Sequence, residues 1–279
     1  MIDVKAFAPT ADLAPFIRQH YLIRAGLPDE FVVADRLFAD NAFVRVVLSG
    51  RFEAADQAGV PGRLDGAWLL GTNLHGYHVR ITGPFLVAAF AIRPCAWRAL
   101  FTHDAHQLVD RAVPLADDWG AVSTAMAEDL ASASDDNAMV AAMEKAIRAQ
   151  LAVIGRNRID EQIALFEHMA RTNSLARVDD IAARLGLSPR QFERRSQASF
   201  GLSPKVILRR SRFLDIAAAM KGYGTQGDKE LAMLGYFDQS HRNREFRNFI
   251  GMTPGQFMKA DAPLMAINLS LREQGKAMV

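Results

Sequence analysis

Val178-Asp179-Asp180-Ile181-Ala182-Ala183-Arg184-Leu185-Gly186-Leu187-Ser188-Pro189-Arg190-Gln191-Phe192-Glu193-Arg194-Arg195 is the stretch on which the reading turns. Val178, Ile181, Ala182 and Leu185 fall at i, i+3, i+4 and i+7, the apolar stripe of one helix face. Gly186 follows that face, where a helix reverses into a left-handed conformation that glycine adopts without penalty. Ser188 can N-cap the next helix. Pro189 suits its first position, because the N–H it lacks is one that a helix start leaves unpaired anyway. The pattern predicts a helix, a short glycine turn and a second helix. Small Ala182 lets the two helices approach closely. The second helix should expose Arg190, Glu193 and Arg194 opposite Phe192.

A second copy follows. Leu231-Ala232-Met233-Leu234 leads to Gly235, and Tyr236-Phe237-Asp238-Gln239-Ser240-His241 opens a helix that continues through Arg244, Phe246 and Phe249 to Gly251. Both copies end alike, in Phe200-Gly201-Leu202-Ser203-Pro204 and Ile250-Gly251-Met252-Thr253-Pro254. Between them, Pro204 to Lys221 reads as one helix of about 18 residues, or roughly 27 Å at 1.5 Å per residue. A turn of duplex DNA is about 34 Å, so such a connector could set two reading heads in successive major grooves. Charge agrees. Residues 175–259 hold 15 Lys and Arg against 8 Asp and Glu, while the rest of the 279-residue chain holds 18 against 23. A basic module on a mildly acidic body points to a polyanionic partner.

The strings Gly186-Leu187-Ser188-Pro189-Arg190 with Glu193-Arg194-Arg195, and Gly235 through His241 with Arg244-Glu245-Phe246-Arg247 and Gly251-Met252-Thr253-Pro254, resemble the AraC/XylS family of transcription regulators over about residues 175–260. The resemblance implies a sequence-specific DNA-binding regulator that is not an enzyme, with an all-α domain binding DNA through two recognition helices. Matched by position, the first helix offers Arg190, Glu193 and Arg194 to base edges, and the second offers Gln239, Ser240, His241 and Arg244. The chemistry suits those roles. Arginine pairs bidentately with guanine, Glu193 can accept from cytosine and Gln239 can pair with adenine. Arg195, Lys205, Arg209 and Arg247 are expected on phosphates, which position a protein without specifying a sequence. The chain departs from the family pattern at Ser196, where a packing phenylalanine is usual, at Arg242, an inward position, and at Leu231, where the small residue is usual.

Residues 1 to about 115 read as β. Phe43 to Leu48 ends at Ser49-Gly50, a turn signal after which Arg51 to Ala55 would return. Ala67 to Leu70 and Tyr77 to Ile81 are bounded by glycines, and Phe85 to Ile92 is an apolar strand stopped by Pro94. A helix is expected over Leu13–Leu22. Closely spaced short strands predict a sandwich or small cupin-like barrel. The fold class is therefore α+β, with a β-rich sensor or dimerisation domain over 1–119. A helical connector follows over 120–173, then the tandem helix-turn-helix over 174–262 and a tail over 263–279. The connector is read as three helices, Ala121–Ala131, Asn137–Gln150 and Ile159–Arg171.

Phe90-Ala91-Ile92-Arg93-Pro94 and Val113-Pro114-Leu115 resemble the β-rich sensor domains of some members of the same family. Trp68, Tyr77, Phe85 and Trp97 could line a ligand site or fill the core. Two alternatives remain open at this level. His75, His78, His103 and His106 could make a cupin-like metal enzyme, or a small-molecule-binding protein could use its helical half for protein contacts only. No metal or cofactor is expected, because no carboxylate stands at a matching spacing. Cys95 reads as buried and inert. The expected partners are duplex DNA, a small-molecule effector, RNA polymerase and a second copy of the chain as a homodimer. The lone cysteine and the absence of a secretory or membrane-spanning pattern fit the cytoplasm.

Overall fold

Among the described residues, the amino-terminal half is built from seven antiparallel strands: β1 (Ile2–Phe7), β2 (Ile17–Ala25), β3 (Val32–Leu37), β4 (Phe43–Ala55), β5 (Gly66–Leu70), β6 (Tyr77–Ile92) and β7 (Ala112–Pro114). They form one sheet in the order β1-β2-β6-β4-β5-β7, with β3 also paired to β6. The structure is a computed structural model and describes residues 2–38, 40–55, 64–223, 230 and 239–277.

Two turns expected from glycine are absent. Ser49-Gly50 lies inside β4, whose register against β6 shifts between Val47 and Ser49 and again between Ser49 and Arg51. Arg51 to Ala55 thus continues the strand instead of returning along it. Gly83-Pro84 likewise sits within β6, a strand of 16 residues. A bulge bends a strand without ending it, and glycine serves a bulge as readily as a turn. The helix expected over Leu13–Leu22 is also replaced. Turn residues run to Phe16, and β2 begins at Ile17, paired to β1 on one side and β6 on the other. Pairing on both edges outweighs a local helical pattern.

Successive side chains of a strand point to opposite faces, and the two faces here have different fates. Val44, Val46, Ala88, Phe90 and Ile92 face a core shared with α1 (Trp97–Leu100), α2 (Ala116–Trp119), α3 (Ala121–Ser132) and α4 (Asp136–Ile154). Phe90 stacks on Trp119 at 5.9 Å, and Met143 and Ile147 of α4 are fully buried beside them. Phe43, Arg45, Phe52, Tyr77, Val87 and Ala89 face the other way, toward the carboxyl-terminal helices.

Those helices are α5 (Glu161–Thr172), α6 (Val178–Arg184), α7 (Pro189–Phe200), α8 (Pro204–Met220), α9 (Gln239–Ile250), α10 (Pro254–Lys259) and α11 (Pro263–Ala277). Residues 120–173 do not act as one connector: α3 and α4 cover the sheet, while α5 belongs to the helical core through Ile163, Phe166 and Ala170. The expected tail is helix α11, whose Leu264, Met265 and Leu269 are buried.

Candidate nucleic-acid interface and the cavity behind it

The helix-turn-helix read from residues 178–195 forms as its caps dictate. Gly186 takes φ +66. Its N–H reaches Ala183 O at 3.1 Å, and Leu187 N reaches Ala182 O at 3.0 Å, the paired bonds of a Schellman ending. Ser188 then caps α7 in a reciprocal box with Gln191. Phe192 is fully buried against Phe166 of α5, ring centroids 4.7 Å apart. The opposite side of α7 leaves Arg190, Glu193 and Arg194 exposed.

Ser196 needs no phenylalanine to complete this unit. It is fully buried, its hydroxyl donates to Leu202 O at 2.8 Å, and Phe166 closes the core against Phe192 and Phe200. α8 serves both units. Its Ile207 and Leu208 enter the first core, and its Phe213 packs on Phe246 and Phe249 of α9 in the second. At 17 residues, α8 spans about 25 Å. On α9, Gln239, Ser240 and Arg244 are exposed, and His241 and Arg242 are half-buried. The expectations resting on Leu231 and Gly235, and the equivalence of Gly235 with Gly186, lie outside the described residues.

The four expected phosphate contacts divide. Lys205 and Arg247 are exposed. Arg195 instead bonds Gln162 and lies 3.4 Å from Asp160, both at the start of α5. Arg209 makes two bonds to Glu245 of α9, at 3.0 and 2.5 Å. Both charges are compensated within the protein, where they tie helices together. The sequence shows a cation but not the carboxylate that folding brings to it.

Residues 181–260 match a family model described as a helix-turn-helix domain, the AraC-type one. This chain carries an AraC-type helix-turn-helix domain. No curated protein matches the chain. Among solved structures it is similar to ToxT from Vibrio cholerae in its P21 crystal form, at 12% identity and TM-score 0.47, over 92% of this chain and 98% of that one. A second structure, titled as unsaturated fatty acid bound wild-type ToxT from Vibrio cholerae strain SCE256, aligns at 12% identity and TM-score 0.44, over 92% and 94%. The AraC-like transcriptional activator CuxR aligns at 17% identity and TM-score 0.27, over 83% and 90%.

Behind the helix-turn-helix domain, a cavity of about 180 Å³ lies between the inward face of the sheet and α5, α8 and α11. Of the four aromatics singled out in the sequence, Tyr77 and Phe85 line it, while Trp97 is buried in the core on the other face and Trp68 packs beside the inner one. The apolar wall includes Ile23, Phe43, Val87, Leu214 and Ile267. Into it comes Arg45, only 6% exposed, its guanidinium carbon 4.1 Å from the Phe52 ring centre and 5.0 Å from that of Phe43. Arg45 Nη1 and Tyr77 Oη make no hydrogen bond of good geometry among the described residues, but the two groups interact with each other. Burial lowers the Arg45 pKa and raises that of Tyr77. Arg171 also lines the wall, and its Nε and Nη2 have no hydrogen-bond partner among the described residues. Three other cations of the wall are engaged. Arg18 pairs with Glu167, and Arg272 with Asp215 at 2.9 Å. Arg210 donates to Asp40 O at 3.0 Å and to Asn41. Nothing in the apolar strand Phe43–Leu48 announced Arg45 except its being the lone cation at an inward position.

The four histidines are not gathered at one centre. His75 bonds the Asn248 carbonyl, His78 contacts Arg36, His103 lies 2.9 Å from Asp118, and His106 is exposed. Among the described residues no group of three or more His, Cys, Asp or Glu could hold a metal ion. Cys95 is buried, and that burial, with Glu167 nearby, raises its thiol to about 12. No described helix is long and apolar enough to cross a membrane.

Proposed function

We propose that this chain is a transcription regulator that reads duplex DNA with α7 and α9 and is set by a small amphipathic anion in the cavity. The observation that carries the first part is the division of α7. Phe192, Ser196 and Phe200 face inward, while Arg190, Glu193 and Arg194 form an exposed face able to donate to guanine and accept from cytosine. Arg244, Gln239 and Ser240 supply the same chemistry on α9, and Lys205 and Arg247 supply exposed cations for phosphates.

The second part rests on Arg45. Its guanidinium is buried, Nη1 makes no hydrogen bond, and the group that interacts with it is the neutral Tyr77 hydroxyl, which is costly for a cation; an anionic head group would relieve that cost. The apolar wall would take the rest of the ligand. A cavity of about 150 Å³ accepts benzene, so about 180 Å³ suits a ring or a short branched chain bearing one carboxylate.

Selection of bound sequences from a random duplex pool, with and without a panel of small carboxylates, tests both parts. Two short motifs about ten base pairs apart are expected. A folded chain that enriches no sequence over bulk competitor would overturn the DNA reading. Enrichment that no carboxylate alters would overturn only the effector reading.

A further inference from the structure

The last four carbonyls of an α-helix have no partner within it. In α9 all four are satisfied, and three of the donors come from the amino-terminal half of the chain. Arg247 O accepts from Gly251 N at 2.9 Å. Asn248 O accepts from His75 Nδ1 at 2.7 Å, Phe249 O from Gly76 N at 2.8 Å, and Ile250 O from Arg36 Nη1 at 2.5 Å. Arg36 also brings positive charge to the negative end of the helix dipole.

The fit is close. A Cβ at Gly76 would lie 2.7 Å from Leu37 O and 2.9 Å from Phe249 O, so only glycine lets this backbone seat on the helix. Gly251, at φ +70, leaves room for the Arg36 guanidinium, which any Cβ there would strike.

The donors adjoin residues of the cavity wall. Leu37 and Tyr77 are cross-strand partners and line it. Arg36 and His78 are the next pair along the same two strands, on the opposite face of the pleat, and touch each other. A shift of Leu37 or Tyr77 therefore moves the groups that hold α9.

We propose that Arg36, His75 and Gly76 are positioning residues that fix the second recognition helix from the sensor sheet, so that occupancy of the cavity is read at α9 and not at α7. The geometry stands on its own. The consequence for DNA rests on the function proposed above.

Hydrogen–deuterium exchange of the full chain without DNA tests the hold, and footprinting tests the consequence. Arg36→Ala and Gly76→Ala should each speed exchange of the 239–250 amides by about tenfold and leave those of 189–200 within about twofold, because local opening need not involve the whole core. Arg36→Lys should restore most of the protection, since it keeps the cation. On selected duplex, both alanine variants should lose the half-site that Arg244→Ala weakens and keep the one that Arg194→Ala weakens. Unchanged exchange in α9, or equal acceleration in α7 and α9 with both variants, would overturn the proposal. Localised exchange in a chain that protects no DNA would leave the hold standing and remove the DNA reading instead.

Discussion

Asp35 and Arg36, neighbours on β3, hold the ends of two different helices. Asp35 Oδ2 accepts from Leu264 N at 2.6 Å and Met265 N at 3.4 Å, at the start of α11, while Arg36 reaches Ile250 O at the end of α9. Each charge has the sign that its helix end favours: acid at the amino end, base at the carboxyl end. Because strand side chains alternate, one dipeptide serves two helices on two sides of the strand.

Asp35→Ala should cost about 2 kcal/mol, since it removes a cap and strands two buried N–H groups. For a chain of this size that is a fall in Tm of roughly 4–8 °C. Asp35→Asn keeps an acceptor and should cost under about 1 kcal/mol. Burial holds the Asp35 carboxyl above its ordinary range. The folded state therefore binds that proton more tightly than the unfolded state, and the wild type loses this contribution as pH rises. The asparagine variant should gain on the wild type in thermal melts as pH rises above the ordinary carboxylate range. An asparagine variant as unstable as the alanine one at pH 7 would contradict the capping account.

Ser196 tests whether the first unit has a hole. Its hydroxyl is buried on Leu202 O, so Ser196→Ala should cost about 1 kcal/mol. Ser196→Phe, the change toward the usual family residue, should be worse, because a phenyl group would overpack a site that Phe166 has already closed, at about 1–3 kcal/mol or more. Urea midpoints at fixed m-value decide it. A stabilised phenylalanine variant would mean the pocket is underfilled.

The parts legible in the sequence were those whose determinants lie within one helical turn. Gly186, Ser188 and Pro189 mark the end of α6 and the start of α7 wherever those helices end up. A strand glycine is not separable from a turn glycine by sequence, because Gly50 and Gly83 serve bulges with the same left-handed φ that a turn uses, and only a partner strand distinguishes the two. The burial of α11 has no local signature, because it is decided by β3, more than 220 residues away, where Asp35 caps it. Arg209 looked free for the same reason, since its Glu245 is 36 positions distant. The cavity gathers residues from Val4 to Arg272 and has no local signature.

Arg45→Met should stabilise the ligand-free protein by about 1 kcal/mol. Replacing a buried cation whose Nη1 makes no hydrogen bond with an apolar chain relieves desolvation, less the stacking on Phe52 and Phe43 and the interaction with Tyr77. The same variant should lose any response of DNA binding to carboxylates. A lower Tm for Arg45→Met would show that its contacts with Tyr77, Phe43 and Phe52 outweigh the cost of burying it.

His20 is fully buried beside Glu144, with Nε2 3.5 Å from Oε1, and Phe90 meets its ring edge-on. Burial pushes its pKa well below the usual imidazole range, against an opposing pull from Glu144. The unfolded state thus binds a proton first as pH falls, so this stability is present above about pH 6.5 and is lost below it. Between pH 7 and pH 5 the wild type should lose up to about 2 kcal/mol of unfolding free energy. His20→Gln should flatten that slope, and an unaltered slope would place the titration elsewhere.

Arg194 and Lys205 should fail in different ways. Both are exposed, but Arg194 stands on the outer face of α7 beside Arg190 and Glu193, whereas Lys205 sits at the start of α8. A base-reading arginine discriminates, so Arg194→Ala should cost about 1–3 kcal/mol on the selected sequence, much less on random duplex, and relax preference at one position. A phosphate contact does not discriminate, so Lys205→Ala should weaken all duplexes alike and lower the slope of log affinity against log salt by about 1. Titrations at several salt concentrations on selected and random duplex separate the two. If Arg194→Ala weakens every sequence equally and flattens the salt slope, α7 touches the backbone and not the bases, and the reading face must be sought on α9.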